Sequence, residues 1–128
     1  MLISVDLRDQ TPIYEQIVVS IKEHINRAEL RPGDPLPTVR QLAQDLGVNL
    51  NTVARAYREL AKQGILSVRQ GRGASVVSAR GRYGAAEQEN LRKKVKRLVN
   101  EALLLGVGSQ ELHGLINSEL HRIKEAEK

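Results

Sequence analysis

The chain has 128 residues and a formal net charge of +5, with no cysteine, phenylalanine or tryptophan. That length suits one domain plus an appendage; the missing cysteine excludes disulfides and thiolate metal centres, and the missing Phe and Trp remove the usual stacking platform for single-stranded nucleic acid. The opening MLISVDLRDQ has no basic-then-apolar leader pattern and no apolar run approaches a membrane span, so a cytoplasmic protein without membrane contact is expected.

Residues 1 to 9 read as a short extended arm. Thr11 is placed to cap a helix with Pro12 at its first position, where the missing N–H is no loss. That helix is expected to run to about Glu29, with Ile13, Ile17, Ile21 and Ile25 on one face. Arg31-Pro32-Gly33-Asp34-Pro35 reads as a rigid turn. A second helix begins after Thr38, where Thr38 and Gln41 have the spacing of a capping box. Val39, Leu42, Ala43 and Leu46 give it one apolar stripe, and Gly47 suits its left-handed C-cap. Asn49 is a good N-cap for the third helix, which buries Val53, Ala56, Tyr57, Leu60 and Ala61 and stops at Gly64. Its other face carries Asn51, Thr52, Arg55, Arg58 and Lys62. Ile65–Arg69 and Ala74–Ser78 flank Gln70-Gly71-Arg72-Gly73, the pattern of a hairpin with glycines at its turn.

Residues 79–85 read as a linker. A helix follows from about Ala86 to Leu105, with Leu91, Val95, Leu98, Ala102 and Leu105 on one stripe. Gly106-Val107-Gly108 breaks it, and Ser109 is placed to cap a last helix with Leu112, Leu115, Ile116, Leu120 and Ile123 on its stripe. Two helices cannot enclose a core of their own. A second copy is the expected partner, and these ten apolar residues are the candidate dimerisation set; packing back onto the first domain is the alternative. The expected fold is mostly α with a small β-hairpin. It comprises a winged helix-turn-helix over 1–78, the linker, and an antiparallel helical hairpin over 86–128.

Two helices joined by so short a turn as Gly47–Asn49 cross steeply, which is the helix-turn-helix arrangement. The start of the third helix then projects outward. Asparagine can pair with adenine and arginine with guanine in bidentate fashion, and free helix-start amides can hold a phosphate. Between Arg40 and Arg72 stand six basic and two acidic residues, a local excess that suits a phosphate-binding face. Double-stranded DNA is therefore the expected partner. Thr38, Arg40, Thr52 and the wing would hold phosphates, and Asn49, Asn51, Arg55 and Arg58 would read or approach bases. Of the tyrosines, Tyr14 and Tyr57 lie on apolar stripes and are expected to fill the core.

These residues resemble the winged helix-turn-helix domain of GntR-family bacterial transcription regulators. The resemblance rests on Leu36-Pro37-Thr38 with Arg40, Leu42 and Ala43, then Gly47-Val48, Thr52-Val53, Leu60 with Gly64, and Gly71-Arg72-Gly73. Pro12 to Ile17 is similar to the family's first helix. Many members carry S-R-x-T-V-R at the start of the recognition helix; here Asn49-Leu50-Asn51-Thr52-Val53-Ala54 lacks both arginines. The N-x-N-T-V-x-R-A-Y form is similar to the YtrA-type subgroup, which has a short helical tail. The resemblance implies a phosphate contact at Arg40 and a wing-tip contact at Gly71 and Arg72. The base contacts that better-known members make through the two missing arginines cannot be carried over to Leu50 or Ala54.

Other chemistry finds little support. Gly71-Arg72-Gly73 lacks the third glycine, following helix and lysine of nucleotide cradles. His113, Asn117 and His121 recur along one helix face without a further ligand, and Arg92–Arg97 reads as a solvated basic face. No nucleophile, base and orienting group occur together, so neither an enzyme nor a cofactor is expected. A hairpin of about forty residues is too small for an ordinary ligand pocket of roughly 300–1,000 Å³. Any small-molecule effector would bind between subunits or at the domain junction. The resulting expectation is a dimeric, sequence-specific repressor on a palindromic operator. The competing expectation is a winged helix used as a protein-interaction module.

Overall fold

The computed structural model describes residues 3–69, 73–77 and 83–125. In chain order it contains α1 (Ile13–Asn26), β1 (Pro35–Leu36), α2 (Val39–Leu46), α3 (Leu50–Lys62), β2 (Leu66–Arg69), β3 (Gly73–Val76), α4 (Ala85–Leu104) and α5 (Ser109–Glu125). The chain divides into two units, residues 1–79 and residues 80–126.

The first unit is organised around α3. Val53, Ala56 and Leu60 are fully buried, Tyr57 nearly so. α1 packs on one flank of α3 with Ile17 and Ile21, and α2 on another with Leu42 and Ala43. Leu66, Ala74 and Val76 close the core from the sheet. Fully burying one such aliphatic side chain contributes roughly 1.5–3 kcal/mol relative to exposure, so the stripes expected from the sequence supply the fold's main driving force.

The sheet has three antiparallel strands in the order β1-β3-β2. β2 and β3 form the expected wing, with Leu66 opposite Val76 and Arg69 opposite Gly73. The third strand, β1, falls where a rigid turn was expected. It pairs Pro35 with Ser75 and Leu36 with Ala74. A proline is tolerated there because β1 is a short edge strand. Gly73 has φ +78°, and a Cβ on it would stand 3.1 Å from the Leu36 carbonyl oxygen. Only a glycine both takes that backbone and lets β3 approach β1 so closely.

α1 departs from expectation at both ends. Its N-cap is Pro12, with no side-chain cap bond, and it ends at Asn26. Thr11 does not cap; its carbonyl accepts from Gln16 Nε2 at 2.9 Å. The same Gln16 side chain accepts from the Asp6 N–H at 2.8 Å and donates to the Asp6 carbonyl at 3.0 Å. Residues 3–11 are thus pinned to α1, with Ile3 buried, and do not form a free extended arm. At the far end Ala28 takes φ 61°, which stops the helix short of Glu29.

In the second unit, α4 begins at Ala85, where Glu87 Oε1 accepts from the Gly84 N–H at 3.3 Å. Residues 105–108 connect it to α5. Ser109 is the first residue of α5 and not its cap, and Leu112 N–H donates to the Gly108 carbonyl. The expected apolar stripes stay open to solvent. Leu91, Val95, Leu98, Leu105, Leu115, Ile116 and Leu120 are each at least 41% exposed. Leu112 and Ile123 are half-buried. Among the described residues of the two helices, only Ala102 is buried.

Candidate nucleic-acid interface

Local hydrogen bonding fixes the start of α2. Gln41 N–H donates to Thr38 Oγ1 at 3.1 Å, and Thr38 N–H donates to Gln41 Oε1 at 3.0 Å. The capping box expected at Thr38 is therefore complete. Gly47 closes α2 in the left-handed conformation at φ 68°. Asn49 then caps α3, accepting the Asn51 N–H on Oδ1 at 2.7 Å. The buried Tyr57 hydroxyl donates to the Pro37 carbonyl at 2.7 Å and so ties the approach to α2 onto α3. Burial pushes this phenol up to about 12, so it remains a neutral donor at ordinary pH.

Between the start of α2, α3 and the wing lies a groove of about 820 Å³. Thr38, Val39 and Arg40 line it from α2 and its cap; Leu50, Ala54, Tyr57 and Arg58 from α3; Val68, Arg69 and Gly73 from the wing. Three of these lining residues are arginines and none is acidic. Concave, one-signed surfaces of this kind concentrate positive potential and attract polyanions.

Successive helical side chains are rotated by about 100°, and that rotation sorts the exposed face of α3. Leu50, Ala54 and Arg58 run along the groove side. Asn51, Arg58 and Lys62 stand on the exposed crest. Arg55 and the half-buried Thr52 fall toward the α1 side. Arg55 does not line the groove; its Cζ lies 3.7 Å from the centroid of the Tyr14 ring. Asn49 is exposed, but its oxygen is committed to the cap. Asn51 has no side-chain hydrogen bond among the described residues. Arg40 and Arg58 are also exposed. Gly71 and Arg72 lie outside the described residues.

The structure thus gathers Thr38, Arg40 and Arg58 around one groove, keeps Asn49 and Asn51 at the start of α3, and sets Arg55 apart. Sequence reasoning missed Leu50, Ala54 and Val68 as groove lining, and the Arg55–Tyr14 contact. The spacing of Leu50, Ala54 and Arg58 by fours was the available signal for the first two. Among the described residues no cluster of three His, Cys, Asp or Glu side chains could hold a metal ion. No helix of the described residues is long and apolar enough to cross a membrane.

The model of the bacterial regulatory proteins, gntR family, matches residues 13–76, half of the chain, from the start of α1 to the end of β3. The chain belongs to the GntR family. Among GntR relatives it is similar to the HTH-type transcriptional repressor YtrA of Bacillus subtilis (strain 168). The two are 35% identical over 128 residues, covering 99% of this chain and 98% of that one. A transcriptional antiterminator from Listeria monocytogenes EGD-e has a similar structure, with TM-score 0.85 and 31% identity over 96% of this chain and 92% of that one. The DNA-binding domain of AraR in complex with operator ORX1 is similar at TM-score 0.52 and 29% identity, covering 58% of this chain and 94% of that one. This GntR-family chain is a transcriptional regulator carrying the family's DNA-binding domain. The family and fold anticipated from the motifs at Leu36 to Gly73 are those found.

Proposed function

We propose that this regulator is a cytoplasmic, non-enzymatic repressor that binds a palindromic operator as a homodimer. The groove between α2, α3 and the wing carries the reading, because three arginines line it and no lining residue is acidic. Arg40 from α2 and Arg69 from β2 hold phosphates across the groove, with Thr38, Thr52, Gly71 and Arg72 as further phosphate contacts. Asn51 and Arg58 reach base edges from the crest, where Asn pairs best with adenine and Arg with guanine. Asn49 Oδ1 already accepts the Asn51 N–H, so its amide N–H₂ is the group it offers most readily to DNA. Leu50 and Ala54 present apolar surface suited to a thymine methyl. The operator complex of AraR and the repressor activity of YtrA support the same reading.

The open stripes of α4 and α5 support the dimer. Leucines and valines at this density rarely stay exposed on a monomer, and a second copy covers them by twofold symmetry. Residues 1–78 then serve as reading head, 79–85 as linker and 86–128 as dimerisation element. Repression follows from occupying a promoter.

Selection from a randomised duplex library, followed by footprinting with the full chain, tests this. The expected footprint has two inverted half-sites roughly one or more helical turns apart, near 10 bp centre to centre or a multiple of it. A single asymmetric site occupied by one copy would overturn the dimeric reading.

A further inference from the structure

The flank of α3 away from the groove carries a contact that groove binding does not explain. The Arg55 Cζ stands 3.7 Å over the Tyr14 ring centroid. At that distance the guanidinium lies against the ring, since an end-on N–H would hold its central carbon farther away. Tyr14 is a firm platform: it is half-buried, packs on the core cluster, and its hydroxyl is 3.2 Å from Glu15 Oε1. Arg55 is exposed, and among the described residues it makes no hydrogen bond or ion pair.

Stacking uses the π face of a guanidinium and leaves its five in-plane N–H donors open. An arginine held this way is already ordered, so meeting an acceptor removes less rotamer freedom. We propose that Tyr14 is a positioning residue for DNA binding, holding Arg55 at the α1 edge of α3 with its donor edge open to a phosphate or base acceptor. The two arginines of α3 then serve different flanks, Arg58 the groove and Arg55 the surface beside α1. This inference rests on α3 being the DNA-facing helix.

The test uses the full chain and a duplex selected by it from a randomised library. Tyr14→Leu keeps apolar bulk and removes the ring; Tyr14→Phe keeps the ring and removes the hydroxyl. Y14L should bind roughly two- to fivefold more weakly, the range of an exposed cation–π contact, while Y14F should match the unaltered chain. In an Arg55→Ala background, Y14L should cause no further loss. Thermal melting confirms that each variant is folded at the assay temperature. If Y14L melts too low, Arg55→Lys reads the contact from the other side. It keeps the charge but loses the planar stack, and should weaken binding by a similar factor with an unchanged salt slope.

An equal loss from Y14L with and without Arg55 would overturn the inference, because the effect would then come from α1 packing. So would a Y14F as weak as Y14L, or an unchanged Y14L or R55K. Arg58→Ala separates the two levels. If R58A weakens binding while the Tyr14 series fails, only the positioning role falls. If R58A and R55A both bind normally, the α3 interface falls and the positioning role with it.

Discussion

Tyr57→Phe isolates the hydrogen bond that ties the approach to α2 onto α3. Tyr57 is buried, with 1% of the residue exposed, and its hydroxyl donates to the Pro37 carbonyl at 2.7 Å. Removing the oxygen leaves the ring's packing intact, so the loss is that of one neutral hydrogen bond, about 1 kcal/mol near pH 7. Half-buried Pro37 lets water reach the orphaned carbonyl, which keeps the penalty at that level. The pH dependence is more discriminating. In the folded chain the phenol holds its proton to about 12, against 10.0 for the ordinary group. Between these values the unfolded chain binds fewer protons than the folded one, so stability falls as pH rises. At pH 11 the two values imply a loss of about 1.4 kcal/mol that the phenylalanine variant does not suffer. Wild-type advantage should therefore shrink above pH 10 and vanish or invert near pH 11. Urea melts of both proteins at pH 7, 9, 10 and 11 measure this. A difference that stays constant across that range would refute the reasoning, because the hydroxyl would then be as well solvated folded as unfolded.

Gly73→Ala should destabilise the first unit by about 1–2 kcal/mol, the penalty of a left-handed alanine, before the close Leu36 oxygen is counted; thermal unfolding reads it, and an unchanged melting temperature would contradict the strand geometry. Arg58→Ala should leave stability within about 0.5 kcal/mol, yet weaken duplex binding; a phosphate role would flatten the slope of log K against log salt by about 0.9, whereas a base role would lower discrimination between selected and random duplexes. Leu98→Glu puts a charge into the open stripe of α4 and should shift sedimentation from dimer to monomer while leaving the first unit folded; a mass unchanged from the unaltered chain would remove α4 from the interface.

What the sequence disclosed was mostly what neighbouring residues settle among themselves. The Thr38–Gln41 box, the Gly47 cap and the Asn49 cap each close within a few residues, and their residue types have few alternatives. The buried stripe of α3 was equally legible, because Val53, Ala56, Tyr57 and Leu60 repeat at helical spacing. β1 was not legible: two residues make no pattern, and Pro35–Leu36 becomes a strand only because β3 lies beside it. The early end of α1 was hidden because alanine at Ala28 carries no sign of a left-handed backbone. Arg55 was recognisable as exposed, but its resting place on Tyr14 depends on how α1 packs on α3, a contact between residues far apart in sequence. The stripes of α4 and α5 announced apolar faces without naming what covers them.

The central claim is that the groove face of α3 reads duplex DNA sequence. The most direct measurement is the affinity of the full chain for a selected duplex and for a scrambled duplex of the same composition, across a salt series. Both affinities should fall steeply with salt, because both depend on phosphate neutralisation. The selected duplex should stay tighter by roughly 10³-fold or more. Equal affinity for the two duplexes would contradict sequence reading, and binding indifferent to salt would contradict the basic groove as its site.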